Sequence, residues 1–439
     1  MILLLIFWIS IFLVVHTYVL YPIILAVFSR GKKGNTLVFQ DDDEDLPFVS
    51  VIISAYNEES CIRQKIESIY SGSYPPEKFE VLIGSDASSD GTVEEVGSWQ
   101  LAVGSQRSAV SGQRSEVNSQ RSAVGGQPSV VDAQWNPESG IRNPEPGTRN
   151  LEQASLRLFD FQERRGKGAV VNDLVRESIG EILVLTDANV LFDKDTLINM
   201  VRHFKNPKMG LVDTNMINRG MKETGISYQE RAYISREVRI KDRESRLWGA
   251  MMGPFGGCYA IRKEDYSRVP SNFLVDDFYI NMKIFEKRKL AINDISARVF
   301  EELPEDLKVE FRRKVRIGTG NFQNLGEFWR LIFTKRYGFA FLSHKVIRWF
   351  GPFFLIAAFI TNIFLAVGNI YYQIVLAAQI LFYFIPVLDY LLKKTGIHIS
   401  LFRLVTHFVS MNAALMIGFF RSMRSVRSGI WERTSRESK

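Results

Sequence analysis

The sequence predicts an α/β protein with a mainly parallel central sheet and transmembrane helices at both ends. Three observations predict it. Short β-branched runs alternate with amphipathic stretches from Phe48 to about Asn324, the pattern of strand–helix units. Met1 to Phe28 carries no charged residue, and a span needs only about 20 apolar residues. After Leu325 the chain turns aromatic and apolar again. Its 439 residues are too many for one small domain, and 46% hydrophobic content is too high for a disordered chain.

The first segment, 1–29, reads as a transmembrane helix rather than a cleaved leader, since it has no positive start and no small-residue cleavage site. Arg30, Lys32 and Lys33 follow it, so the positive-inside rule places the N-terminus outside and the next domain in the cytosol. That domain, 46–324, contains FVSVIIS (Phe48–Ser54), EVLIGS (Glu80–Ser85), LRLFDF (Leu156–Phe161) and EILVLT (Glu181–Thr186) as core strands. Ile62, Ile66 and Ile69 recur at helical spacing between the first two strands, and Asp193 is the expected N-cap of a helix through Val201. The two cysteines, Cys61 and Cys258, have no partner at zinc-ligand spacing and form no disulfide framework.

One stretch fits no fold. From Gln106 a seven-residue unit repeats as QRSAVSG, QRSEVNS and QRSAVGG, and a Pro/Asn/Gly-rich run ends at Asn150. With one apolar position per unit there is no coiled-coil seam, so 97–150 reads as a disordered surface insertion, which loop-closure entropy tolerates.

Beyond the domain, 325–350 reads as interfacial helices whose basic side chains meet lipid headgroups. Two or three transmembrane helices follow in 351–420. Gly351–Val367 and Ile370–Leu392 can each span, whereas Leu401–Phe420 carries Arg403, His407 and Asn412 and either spans or lies in the interface. The basic tail 421–439 flanks a membrane surface. The net charge of +7 is spread along the chain rather than concentrated among aromatics, which argues against a nucleic-acid partner. A transporter is disfavoured by the few spans and the large soluble domain.

In an open α/β sheet, ligands bind beyond the carboxyl ends of the strands. Four polar clusters converge there: Tyr56-Asn57-Glu58 after the first strand, Asp86 to Thr92 after the second, Arg164 to Gly168 after the third, and Asp187-Ala188-Asn189 after the fourth. This edge suits a nucleotide diphosphate. Asp86 can accept hydrogen bonds from a base or ribose, Lys167 can meet phosphate, and Asp187 with Asn189 offers hard oxygens for Mg²⁺ or Mn²⁺. Taken singly, Asp86 to Thr92 could be an Asx turn, Lys167 a solvated residue and Asp187 a helix cap; their co-occurrence at successive strand ends favours the site. The first glycine of a P-loop is absent, with Phe161 in its place, and no G-x-G-x-x-G follows the first strand.

SAYNEE (Ser54–Glu59), SDASSDGT (Ser85–Thr92), RGKGAVVN (Arg165–Asn172), TDAN (Thr186–Asn189), GPFGGCYAIRKE (Gly253–Glu264), VDD (Val275–Asp277) and RRKVRIGTGNFQNL (Arg312–Leu325) together resemble the membrane-integrated family 2 glycosyltransferases. The branch is that of the cellulose, hyaluronan, chitin-oligosaccharide and poly-N-acetylglucosamine synthases. The resemblance implies a GT-A fold, a nucleotide-sugar donor such as UDP-GlcNAc or UDP-Glc, a divalent cation, inversion at the anomeric carbon and a glycan or lipid-linked acceptor at the cytosolic face of a bacterial membrane. It implies that Tyr56, Asn57 and Glu58 touch the donor, that Asp86 contacts uracil, and that Asp187 and Asn189 are the D-x-D metal motif. Asp277 matches the catalytic base, a role Asp276 could take instead; alternatively Asp277 caps the following helix.

Two departures qualify the resemblance. Asn189 stands where the family has its second motif aspartate. The Q-x-x-R-W motif aligns with Arg313 to Ile317 and keeps only Arg316, which puts processive polymer synthesis in question and favours transfer of one or a few sugars. Arg312, Arg313 and Arg316 are expected either at the diphosphate or on a membrane-surface helix. These departures also motivate an alternative from another class: a catalytically silent scaffold subunit that binds nucleotide sugar, or partner subunits of an export complex.

Overall fold

The computed structural model of the chain describes residues 1–40, 43–101, 135–136, 141–142, 155–219, 226–302, 307–397 and 399–424. Strands β1 (Val49–Ala55), β2 (Phe79–Asp86), β3 (Trp135–Asn136), β4 (Ile141–Arg142), β5 (Ser155–Phe161), β6 (Ile182–Asp187), β7 (Leu191–Phe192), β8 (Met209–Arg219), β9 (Cys258–Arg262) and β10 (Leu290–Glu302) form one sheet. Their order is β3-β4-β5-β2-β1-β6-β9-β8-β10-β7. The central run from β5 to β6 is parallel, as the sequence predicts. β9 runs antiparallel to both β6 and β8.

The register of β1 explains its apolar run. Val49, Val51 and Ile53 enter a core beneath one face, where Ile62, Ile66 and Ile69 of helix Glu59–Tyr70 pack. Ile52 points to the other face, against Val170 and Leu174 of helix Lys167–Glu177. A strand buried on both faces has no need of polar alternation. The second face also takes Phe278 and Ile280 of helix Asp276–Glu286, then Phe322, Tyr337 and Trp349 from the segments beyond. The sheet and the helical segments that follow residue 306 therefore share one core.

Three boundaries differ from expectation. The helix after β2 runs through 92–101, past the expected start of the insertion at residue 97, and there Trp99 packs against Tyr70 with ring centroids 4.6 Å apart. Most of the repeat insertion lies outside the described residues, but β3 and β4 fall within it and extend the sheet beside β5. The N-cap of helix Thr196–Val201 is Asp195; the Asp193 side chain instead meets the Lys194 N–H and Arg298.

Among the described residues, three helices are long and apolar enough to cross a membrane: Ile2–Phe28, Ile370–Lys394 and Ser400–Ser422. Gly338–Trp349 and Gly351–Leu365 form a pair bent by 60°. Helix Ser400–Ser422 lies along helix Leu307–Phe328 so closely that a methyl at Gly418 would fall 2.7 Å from the Gly318 carbonyl carbon. Small residues at a helix crossing permit this approach. The same long helix braces the start of helix Asp276–Glu286. Asn324 Nδ2 donates to the Val275 carbonyl, Gln323 Oε1 accepts from the Leu274 N–H, and Gly320 lies flush against Val275.

A buried polar network joins the first apolar helix to the domain. Glu244 accepts from the Tyr21 hydroxyl at 2.6 Å and from the Met252 N–H at 3.0 Å. His344 contacts Glu244 through Nδ1 and Glu237 through Nε2, each at 2.7 Å. Lys345 and Arg348 donate to the two oxygens of Glu237.

Candidate active site

The carboxyl ends of β1, β2 and β6 deliver the expected residues to one edge. Asn57, in the left-handed region at φ 55, ties the first two loops together: its Oδ1 accepts from the Ser89 N–H at 2.7 Å, and its own N–H donates to Ser88 Oγ. The Glu58 N–H donates to Thr92 Oγ1, while the Glu58 carboxylate turns back toward Cys61 Sγ. Tyr56 presents its ring to the Arg164 guanidinium, 3.8 Å from the centroid. Arg164 belonged to the expected third cluster, but no sequence signal pairs it with Tyr56.

Asp86 is buried at the end of β2 and holds the third loop. Its two oxygens accept from the Arg165 and Gly166 N–H groups at 2.7 and 2.9 Å. A carboxylate that accepts two backbone donors fixes the loop between them. Lys167 follows at once, and its ammonium spans the site, 2.7 Å from Asp187 Oδ1 and 4.0 Å from Asp276 Oδ2. Burial opposes that charge, but Asp187 and Asp276 outweigh it and keep Lys167 protonated well above the ordinary lysine range.

Asp276 and Asp277 open helix Asp276–Glu286. Asp277 Oδ1 accepts from the Phe278 N–H at 2.6 Å. Burial first, and then the charge of Asp276, push Asp277 up to about 7, against the pull of Lys167. Gly256, at φ +70, lies against the Asp277 carboxylate so closely that any Cβ there would collide with Oδ2. Glycine meets both demands, the backbone angle and the missing side chain.

Arg316 faces this cluster from helix Leu307–Phe328. Burial and Arg313 lower its proton affinity, and Asp276, Asp187 and Asp277 oppose them. Among the described residues Arg316 has no hydrogen-bond or ion-pair partner. Arg313 reaches Glu310 at 3.4 Å on its own helix.

The turn after β6 rests on a residue that sequence reasoning passed over. Lys65 is fully buried and donates to Thr186 Oγ1 at 2.9 Å and to the Val190 carbonyl, with its ammonium 3.7 Å from the Phe192 centroid. Burial lowers its pKa to about 7. The signal was present: Ile62, Lys65, Ile66 and Ile69 share one helical stripe, so a lysine stands at a core position. Asn189 donates to Glu301 Oε1 at 3.2 Å. Glu301 lies more than 100 residues away on β10 and had no local signal.

A divalent cation fits this donor set in part. Asp187 and Asn189 supply hard oxygens two residues apart, and the Asp187 side chain is 36% exposed. Among the described residues no group of three or more His, Cys, Asp or Glu side chains converges as a metal cage. Phosphate oxygens of a ligand would therefore complete the coordination, the usual arrangement for Mg²⁺.

The pattern described as "Glycosyl transferase family 2" matches residues 50–116 and 149–269. A poly-β-1,6-N-acetyl-D-glucosamine synthase of Staphylococcus epidermidis is 21% identical over 333 residues, covering 72% of this chain and 68% of the relative. The synthase of the same name from Staphylococcus aureus strain COL is 21% identical over 316 residues, covering 71% of this chain and 62% of the relative. Among solved structures, a mannosyltransferase from Pyrobaculum calidifontis in complex with GDP-Man and Mn²⁺ aligns with a TM-score of 0.64 at 20% identity, over 95% of this chain and 99% of that one. That likeness shows the fold: a GT-A-like sheet with apolar helices at both ends.

Proposed function

From a chain that carries a glycosyl transferase family 2 domain, we propose an inverting transferase that moves a sugar from a UDP-linked donor, UDP-GlcNAc or UDP-Glc, to a glycan or lipid-linked acceptor. The observation that carries this reading is the Lys167 ammonium set between Asp187 and Asp276. It joins the motif that would face the diphosphate to the carboxylate pair that would face the acceptor.

In this reading Asp277 is the base. The acceptor hydroxyl attacks the anomeric carbon, its proton passes to Asp277, and the bond from that carbon to the diphosphate oxygen breaks, releasing UDP. A base raised to about 7 is matched to proton transfer near neutral pH. Asp276 stays close to Lys167 and restrains its position. Lys167 and Arg316 stabilise the leaving diphosphate, Tyr56 offers a stacking face to the nucleobase, and Asp86 holds the loop on which Lys167 sits. Asp187 and Asn189 would hold Mg²⁺ or Mn²⁺, which when bound neutralises charge on the diphosphate.

The relatives named as poly-β-1,6-N-acetyl-D-glucosamine synthases support polysaccharide as the product and GlcNAc as the sugar. The apolar helices suit a membrane location. We place the catalytic domain at the cytosolic face because Arg30, Lys32 and Lys33 follow the first helix. Assembly with export subunits accords with such a product. The scaffold alternative is not favoured, since the charged residues of the site converge. The test is UDP release by the protein in nanodiscs across a panel of UDP-sugars with Mn²⁺ or Mg²⁺. Selective release lost in Asp277→Asn supports the reading; no release with any donor, even with lipid extract as acceptor, overturns it.

A further inference from the structure

The neutral Asn189 leaves the motif after β6 one negative charge short of a D-x-D pair. The structure contains a carboxylate beside that position. Glu301, near the end of β10, is 9% exposed, and its side chain accepts one hydrogen bond, from Asn189 Nδ2 at 3.2 Å. Among the described residues no lysine, arginine or histidine pairs with it.

A carboxylate has about four acceptor sites, and removing it from water is costly unless charge or several donors compensate. The Asn189 amide occupies one of those sites and leaves the others open to a further ligand. An aspartate at 189 would set a second carboxylate against Glu301, so the asparagine and the glutamate are matched to each other. With Nδ2 committed to Glu301, the amide Oδ1 of Asn189 is available as a neutral ligand.

We propose that Glu301 supplies the second anionic oxygen of the divalent-cation site begun by Asp187 and Asn189, an inference that rests on the transferase reading above. The negative charge has moved from the motif turn to the end of β10. Asp187 and Glu301 together carry the two charges that a D-x-D pair would carry.

The test titrates MnCl₂ into the full chain in nanodiscs with UDP present and follows free Mn²⁺ by electron paramagnetic resonance. Loss of a residue that orients or completes a metal site costs roughly 10–100-fold in affinity, and Glu301→Gln is expected to weaken Mn²⁺ binding by that amount. The double change Asn189→Asp with Glu301→Gln, which returns the charge to the motif, is expected to recover most of the loss. If Glu301→Gln does not melt cooperatively, Glu301→Asp, which keeps the charge on a shorter arm, takes its place and is expected to bind more weakly than wild type.

Wild-type Mn²⁺ affinity in the single variants overturns the assignment, as does absence of Mn²⁺ binding by the wild-type chain. UDP release measured on the same samples separates the two readings. Turnover with unchanged Mn²⁺ affinity in Glu301→Gln overturns this site and leaves the transferase standing. Mn²⁺ binding sensitive to Glu301 without turnover of any donor overturns the transferase and leaves the site.

Discussion

Gly256 lies directly against the carboxylate of Asp277, in a left-handed conformation at φ +70. A helix terminus and a strand approach meet there with no room for a Cβ. The position of the proposed base is thus set by a residue that has no side chain of its own.

Gly256→Ala should therefore damage turnover while sparing the donor site. The methyl displaces the Asp277 carboxylate, and a misplacement of about 1 Å can cost on the order of a hundredfold in rate. Turnover number and UDP affinity measured side by side check this. A variant with wild-type turnover would show that Asp277 adjusts freely.

Asp277 also sets a pH dependence. The proposed base works ionised, so kcat/KM should rise with pH up to about 7 and level off above it. Asp277→Asn should lower turnover by roughly 10²–10⁴-fold, the range for general-base catalysis. The stability effect has the opposite sign to that of a salt-bridged carboxylate. The folded pKa is raised, so the favourable contribution of Asp277 is present below the ordinary aspartate range and is lost as pH rises through about 7. Melting temperatures of Asp277→Asn relative to wild type should accordingly be more favourable at pH 8 than at pH 5.

Asp86 anchors a loop through two charge-assisted bonds. Asp86→Ala removes both and frees the segment that carries Lys167. With hydrogen bonds to charged groups worth about 1.5–3 kcal/mol each, donor KM should rise about tenfold or more. Isothermal titration with UDP would show whether the loss lies in donor binding, as expected.

The network around Glu237 should govern stability. Its oxygens meet His344, Lys345 and Arg348 in a buried site. Glu237→Ala strands those groups, and breaking a buried pair by removing one partner costs about 3–5 kcal/mol. Thermal melting in detergent should show a marked drop, whereas Glu264→Ala on the exposed surface should be nearly silent.

Helix Ser400–Ser422 should detach when its crossing point is filled. A valine at Gly418 meets the backbone of Gly318 and Thr319, which cannot rotate aside, and overpacking of this kind costs about 1–3 kcal/mol. Cysteine crosslinking between the two helices should fall in Gly418→Val and persist in wild type.

The sheet was legible from local pattern because strands buried on both faces must be continuously apolar. Runs such as Val49–Ala55 and Ile182–Asp187 announce themselves, and the rule that ligands gather at carboxyl ends then placed Tyr56, Asp86, Lys167 and Asp187 on one edge. Asp276 and Asp277 came from the resemblance, since no local pattern distinguishes them from a helix cap. The helix after β2 runs past the expected start of the insertion at residue 97, and the contact of Trp99 with Tyr70, a tertiary one, had no local signal. Arg313 meets Glu310, an intrahelical partner three residues away.

By itself, the sequence determined which residues have to be buried and which chemistry collects at the strand ends, because periodicity and residue type act over a few positions. Only the tertiary structure decided that Lys65 props the Asp187 turn, that Gly256 seats Asp277, that Arg164 covers Tyr56 and that Glu301 meets Asn189. Each of those pairs joins segments distant in the chain, and the force that selects it, a desolvated charge or a missing side chain, exists only once the sheet has brought them into contact.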